Sequence, residues 1–406
     1  MTTTEAVLTT APDFAADAAE ILPELVALRR ALHADPELGL DLPRTQAKVL
    51  EALEGLPLEI TTGTRTTSVV AVLRGALPGP TVLLRGDMDG LPVDEATGLD
   101  YASTNGAMHA CGHDLHTTGV VGAARLLSAR REQLAGSVIF MFQPGEEGHG
   151  GAKVMIEEGV LDAAGERPVA AYGIHMAPGP RGVLATRPGT IMAGAGMLHV
   201  TVKGRGGHGS QPQHALDPVP AAAEIVLALQ TFVTRTFDAF DPVVLSVTRM
   251  STGDGAINVI PEQVELAATV RYMSAASLEA LEAGLPRVVE GLASAHGLSV
   301  DVSFEATYPA TVNDAEETAF TVATLRGAFG EQRVQNLPAP VMGSEDFSFV
   351  LNEVPGTFLA LLATPPEMDP GAVEFNHSPR VQFDDAVLGD QAAALATVAF
   401  ARTARG

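Results

Sequence analysis

The chain has 406 residues, 46% of them hydrophobic and 18% charged, which exceeds what one hydrophobic core ordinarily serves and excludes a disordered protein. Its 25 Lys and Arg stand against 49 Asp and Glu, a formal net charge of −24 that repels phosphate backbones and anionic membranes, so neither nucleic acid nor a membrane is an expected partner. A single cysteine, Cys111, excludes an internal disulfide, and Met1–Ala15 holds no Lys or Arg of the kind that opens a secretory signal. No uncharged apolar run reaches the ~18–20 residues of a membrane span. The expectation is a soluble, acidic, cytoplasmic protein.

The first third alternates strand and helix patterns. Thr81–Arg85 predicts a strand, Leu115–Arg131 a helix, Ser137–Gln143 a second strand and Val169–His175 a third. Apolar strands alternating with helices imply an α/β fold built on a mostly parallel sheet, where ligands bind beyond the carboxyl ends of the strands. Polar residues fall at those ends: Asp87 and Asp89, then Glu146 and Glu147, then His175. From Met197 to Glu305 the pattern changes. Leu198–Lys203, Val243–Met250, Val264–Met273 and Leu298–Phe304 read as strands, and Asp217–Arg235 and Ala275–His296 as helices. Their order, βαββαβ, is that of a ferredoxin-like unit. A domain of residues 197–305 is therefore expected within a larger one of residues 1–196 and 306–406, which resumes with a helix at Asp314–Gly327, a strand at Thr357–Ala363 and a closing helix at Asp384–Arg402.

The densest chemical cluster is Met108–His116 (MHACGHDLH), with three imidazoles, a thiol and a carboxylate. Cys111 and His113 can offer a thiolate and an imidazole to one metal or to neighbouring metals, because Gly112 between them lets the backbone turn sharply. The bland alternative is a buried thiol beside a helix N-terminus, and Asp114 is expected to cap that helix. Glu146 and Glu147 can divide labour, one carboxylate on a metal and the other taking a proton from water, although adjacent glutamates are more often plain surface. His175 and His377 each have an ordinary structural reading, as a core histidine and a loop histidine. Together with Cys111, His113 and a glutamate they make a donor set for two divalent metals. The glycines of Gly204–Ser210 match neither a P-loop nor a dinucleotide loop; they suit a histidine, His208, aimed to donate a hydrogen bond to an oxyanion. No G-x-S-x-G elbow supports a serine hydrolase.

Across nearly its whole length the chain resembles the binuclear metallopeptidases of the aminoacylase type, in particular their amidohydrolase branch of hippurate hydrolases, auxin-conjugate hydrolases and N-acyl-amino-acid deacylases. The resemblance is carried by RGDMDGLP (Arg85–Pro92), MHACGHDLH, FQPGEEG (Phe142–Gly148), GIHMAPG (Gly173–Gly179), GRGGHGSQP (Gly204–Pro212), NVIP (Asn258–Pro261), GSEDF (Gly343–Phe347) and HSP (His377–Pro379). It implies a catalytic domain interrupted by a lid and dimerisation domain. It implies two divalent ions per chain, Zn²⁺, Mn²⁺ or Co²⁺, with Cys111, His113, Glu147, His175 and His377 as ligands. Glu146 corresponds to the general base, Asp89 to the carboxylate that orients the site, and His208 to a lid histidine that serves the other subunit of a homodimer. Asn258 and Arg271 correspond to contacts for the substrate carboxylate, a group that the planar guanidinium fork grips well. The implied reaction cleaves the amide bond of a small N-acyl-amino acid to a carboxylic acid and a free amino acid. A dipeptidase or aminoacyl-conjugate peptidase on the same scaffold, and a non-catalytic metal-dependent binding protein, are the alternatives. The chain departs from the family pattern at Gln213, where a histidine usually follows the proline.

Overall fold

The computed structural model describes residues 12–405, so most of Met1–Ala15 lies outside the described residues. The chain divides into two compact units. The first runs to Gly189 and takes in Val312–Ala339 and the chain from Phe349 onward; the second comprises Thr190–Thr311 and Pro340–Ser348. The second is wider than the 197–305 stretch because its first strand begins at Gly194 and its last continues to Tyr308.

The first unit is built on an eight-stranded sheet. Its centre is four parallel strands, in the order Ala135–Gln143, Leu77–Asp87, Ala170–Ala177 and Gly356–Leu362. These are the expected strands: the first two begin a few residues earlier than read from the sequence, Leu77–Asp87 also ending two residues later, and the other two differ by one or two residues at their ends. Burial does not alternate along them: Val82, Leu83 and Leu84 are all fully buried, as befits strands covered on both faces. Antiparallel pairs involving Leu58–Thr62, Val69–Arg74 and Leu184–Thr186 lie outside this centre. Three helices, Phe14–His33, His113–Ala129 and Val387–Thr403, pack together, with Phe14 and Phe400 edge-on at 5.7 Å. The close approach depends on glycine: a Cβ on Gly119 would fall 2.1 Å from Gln391, and one on Gly122 2.6 Å from the Ala392 methyl. No helix among the described residues is long and apolar enough to cross a membrane.

The second unit has the βαββαβ order. Its strands Gly194–Lys203, Val244–Ser251, Gln263–Tyr272 and Ser299–Tyr308 form one antiparallel sheet, with Val244–Ser251 at one edge. Along Gln263–Tyr272, Val264, Leu266, Ala268, Val270 and Tyr272 are buried while the residues between are more exposed, the two-residue period of a sheet with one covered face. The helices Pro218–Thr236 and Ala275–Ala295 pack with the sheet and are capped by Asp217 and Ser274, whose side chains accept the backbone N–H of Val219 and Ser277.

Candidate metal centre

Every predicted ligand lies in the first unit: Glu147 and His175 at the carboxyl ends of central strands, Cys111 and His113 at the start of the His113–Ala129 helix, and His377 in the loop before the last helix. Gly112 adopts φ +86°, a left-handed conformation that a side chain would strain, and a Cβ there would meet the Met176 Cβ at 3.0 Å. That turn presents Cys111 and His113 side by side. His113 Nδ1 lies 2.8 Å from the Asp89 carbonyl and His175 Nδ1 2.8 Å from the Met176 carbonyl. A carbonyl can only accept, so in both rings Nδ1 carries a proton, and Nε2 is the nitrogen at which a cation can take the place of a second proton. His175 Nε2 lies 3.4 Å from Cys111 Sγ.

The donor atoms gather in overlapping threes. Those of Cys111, His113 and His175 lie within 4.8 Å of one another, as do those of Cys111, Glu147 and His377, and those of His113, Glu146 and Glu147. Cys111 belongs to both of the first two groups. His377 Nε2 stands 3.2 Å from Glu147 Oε1. Its backbone takes φ +72°, the sole described non-glycine residue at positive φ, and such strain marks a side chain held where the chain would not otherwise put it. The His377 N–H donates to the Ala110 carbonyl, and the Asn376 amide donates to the Met176 carbonyl at 3.0 Å.

Whether these residues fit a metal pair is tested by the atoms they leave unmatched. Buried His113 Nε2 and Glu147 Oε1 have no well-aligned hydrogen bond; their close contacts are charge pairs, to Asp87 at 3.3 Å and to His377 at 3.2 Å, an arrangement that costs free energy unless another group completes it. Burial alone would raise the Cys111 thiol, but the charge on His175 and hydrogen bonds from His113, His175 and His377 hold it well below its ordinary range. Hydrogen bonds to Cys111 and Glu147 push His377 up to about 10. A thiolate ringed by protonated imidazoles is a site whose protons a cation can replace. One sulfur and three imidazoles are softer donors than calcium or magnesium takes, and suit a transition metal.

Asp89 is 1% exposed and does not join these groups. Its two carboxylate oxygens accept the backbone N–H of Glu146 and of Glu147, both at 3.0 Å, so it holds the turn that presents the paired glutamates. Asp114 departs from expectation. Gly112 stands at the N-cap without a side-chain bond, and Asp114 points into the protein. Its Oδ2 lies 2.7 Å from Arg29 Nε and 2.7 Å from His33 Nδ1, while His33 Nε2 reaches Glu95 at 3.1 Å and Arg29 also binds Asp385 and Tyr101. The helix side chain is drawn from the cap by a buried guanidinium, a stronger partner than a backbone amide. Asp87 and His116, noted in the sequence but given no role there, pack beside His113. Their signals were present: His116 follows His113 by one helical turn, and Asp87 ends the strand two residues before Asp89.

His208, Asn258 and Arg271 belong to the second unit. His208 pairs with Val259 across two short strands, and the Gly209 N–H donates to the Asn258 carbonyl at 2.7 Å, which brings His208 and Asn258 together. His208 Nδ1 accepts the Ser210 N–H at 3.1 Å, leaving the ring proton on Nε2. Arg271 lies apart from them on the four-stranded sheet, donating to Thr269 and to the Val270 carbonyl.

Residues 83–401 match the model of peptidase family M20/M25/M40. The chain is 36% identical to the N-acetylcysteine deacetylase of Bacillus subtilis over 82% of this chain and 87% of that one. It is 37% identical to thermostable carboxypeptidase 1 of Saccharolobus solfataricus over 95% of this chain and 97% of that one. The crystal structure of the Bacillus subtilis YXEP protein, described as a dinuclear metal binding peptidase from the M20 family, matches with a TM-score of 0.81 and 31% identity, covering 95% of this chain and 99% of that one. The chain belongs to the M20/M25/M40 peptidase family. It is a metal-dependent amidohydrolase, and the alternative of a non-catalytic binding protein falls away.

Proposed function

We propose that the protein hydrolyses the amide bond of N-acyl-amino acids, using two divalent ions per chain, Zn²⁺, Mn²⁺ or Co²⁺, held by Cys111, His113, Glu147, His175 and His377. The observation that carries this reading is the pair of donor triads sharing Cys111, with Glu146 beside them as a carboxylate outside both. When bound, such ions supply Lewis acidity toward the substrate carbonyl and make water a better acid. Glu146 takes the proton of the attacking water and returns it to the leaving nitrogen. Asp89 keeps Glu146 and Glu147 in place through their backbone N–H groups. His208, supplied by a second copy of the chain, donates its Nε2–H to the oxyanion as it forms. Asn258 and Arg271 hold the free carboxylate of the amino acid, which favours single conjugates over internal peptide bonds.

The homodimer is supported by the exposed edge strand Val244–Ser251, where Val244 and Met250 are more than two-fifths exposed, a ready surface for pairing across a two-fold axis. The second unit, close to residues 197–305, acts as lid and dimerisation domain. A cytoplasmic location is supported by the lone, unpaired Cys111. A second reading, a dipeptidase or aminoacyl-conjugate peptidase, is favoured by the likeness to the carboxypeptidase. The test is metal-free protein supplied in turn with Zn²⁺, Mn²⁺ and Co²⁺ and assayed on acetyl-, benzoyl- and aminoacyl-amino acids. Turnover of the first two supports deacylation; turnover of aminoacyl substrates alone supports the second reading; no metal-dependent turnover of any of them refutes both.

A further inference from the structure

The third histidine of the Met108–His116 run has both ring nitrogens engaged. His116 is 1% exposed and lies one turn after His113 on the same helix. Its Nε2 accepts the backbone N–H of Met176 at 2.7 Å, and its Nδ1 stands 2.6 Å from Asp87 Oδ1. Accepting an N–H requires a bare Nε2, so the proton sits on Nδ1 and goes to Asp87. The other Asp87 oxygen, Oδ2, accepts from Arg85 Nη1 at 2.8 Å and stands 3.3 Å from His113 Nε2. Met176 directly follows His175, and the His116 and His175 rings lie 4.6 Å apart. One imidazole therefore ties together the end of the Leu77–Asp87 strand, the helix that begins at His113 and the strand that carries His175.

We propose that His116 is a positioning residue of the metal centre: by holding Asp87 and the Met176 amide at once, it sets where His113 and His175 meet Cys111, without being a ligand itself. Ligation would require it to release the Met176 N–H or its bond to Asp87, stranding a buried polar group in either case. A purely packing role would need the ring and not its nitrogens, and that difference can be measured. The inference rests on the reading that this cluster holds divalent metal.

Three variants separate the bonds from the ring. His116→Phe keeps the ring and loses both bonds, His116→Gln keeps an acceptor for the Met176 N–H, and His116→Asn keeps a donor toward Asp87. Metal-free protein is titrated with Co²⁺ against a competing chelator, with the thiolate-to-cobalt charge-transfer band of Cys111 as the readout. Unfolding of each metal-free variant is followed in parallel. Loss of an outer hydrogen bond to a ligand set typically weakens metal binding about 10–100-fold. That loss is expected for His116→Phe, and His116→Gln should recover most of it because Met176 adjoins His175. If the Phe variant does not fold, the contrast between Gln and Asn carries the same test, with Gln binding tighter. Wild-type affinity in His116→Phe, equal affinity in Gln and Asn, or losses that merely follow the metal-free unfolding midpoints overturn the proposal. A wild-type chain that binds no cobalt overturns the metal reading itself, and this inference with it.

Discussion

Arg29 and Arg30 are neighbours on the Phe14–His33 helix and share Asp385 as a partner, yet removing them should have very different effects. Arg29 is 1% exposed and meets Asp114 at 2.7 Å, Tyr101 Oη at 2.7 Å and Asp385 at 3.0 Å. The Arg30 side chain is 45% exposed and makes one ion pair, to Asp385 at 2.8 Å. Arg29→Met fills much of the same space but leaves the fully buried Asp114 carboxylate with His33 alone. Breaking a buried pair from one side costs ~3–5 kcal/mol, because the orphaned charge stays out of water. An exposed pair contributes ~0–1 kcal/mol. In a protein of this size each kcal/mol moves the midpoint by about 2 °C, so Arg29→Met should lower it by about 6–10 °C and Arg30→Met by no more than about 2 °C. Calorimetry of the metal-free protein at neutral pH reads both. Adding Asp114→Asn to Arg29→Met should restore part of the loss, since the stranded charge is then gone. Equal small shifts for the two arginines would refute the reasoning, as they would mean that solvent reaches Asp114.

Glu146→Gln should keep the bound metal and lose roughly 10²–10⁴-fold in turnover, since an amide cannot accept the water's proton; Glu147→Gln should instead lower metal content, and exchanged phenotypes would reverse the assignment. Cys111→Ser should weaken both ions together, because Cys111 belongs to both triads and a serine hydroxyl does not ionise as a thiol does; metal analysis after dialysis that shows only one ion lost would break the shared-ligand reading. Burial would lower His33, but the Asp114 charge and hydrogen bonds to Asp114 and Glu95 leave it raised. Its stabilising contribution is therefore complete below the ordinary value of about 6.5 and lost as pH climbs through the raised one. The stability gap between wild type and His33→Gln should accordingly shrink from pH 6 toward alkaline pH, and a gap that widens would show the sign to be wrong. Mixing His208→Ala with Glu146→Gln under conditions that let subunits exchange should restore activity in up to about half the dimers, if His208 acts across a two-fold interface; demonstrated exchange without recovery would confine His208 to its own chain or remove it from the reaction.

The central strands were legible because each is an uninterrupted apolar run between turns, and burial on both faces enforces that pattern. The short strands Leu58–Thr62, Leu184–Thr186 and Val334–Asn336 carry too few residues for any periodicity to register. The Met108–His116 cluster stood out because its residue types are chemically rare together, whereas the full donor set with Glu147, His175 and His377 was assigned through the family resemblance. The supporting shell could not be named: that His116 binds Met176 and Asp87, or that Asp114 turns inward to Arg29, depends on contacts between segments separated by as many as 85 positions in the chain. Local spacing made Asp114 a natural cap, and a partner remote in sequence overrode it. Asp89 was picked out as an orienting group, but that it does so through two backbone amides depends on how the Gln143–Gly148 turn folds back over the strand end.

His377 lies far along the chain from Cys111, and the neighbouring Asn376 already spans 265 positions to reach the same cysteine. Between them comes the whole second unit and the strand Gly356–Leu362, which must insert beside Ala170–Ala177 before the sheet is complete. During synthesis, Cys111, His113, Glu147 and His175 all leave the ribosome well before His377 does. A nascent chain can therefore present at most a partial donor set, and the second triad closes only when the final third of the protein has been made and threaded into the sheet. Closure of that second triad is thereby tied to the last steps of folding, so that a chain stopped before His377 never assembles it.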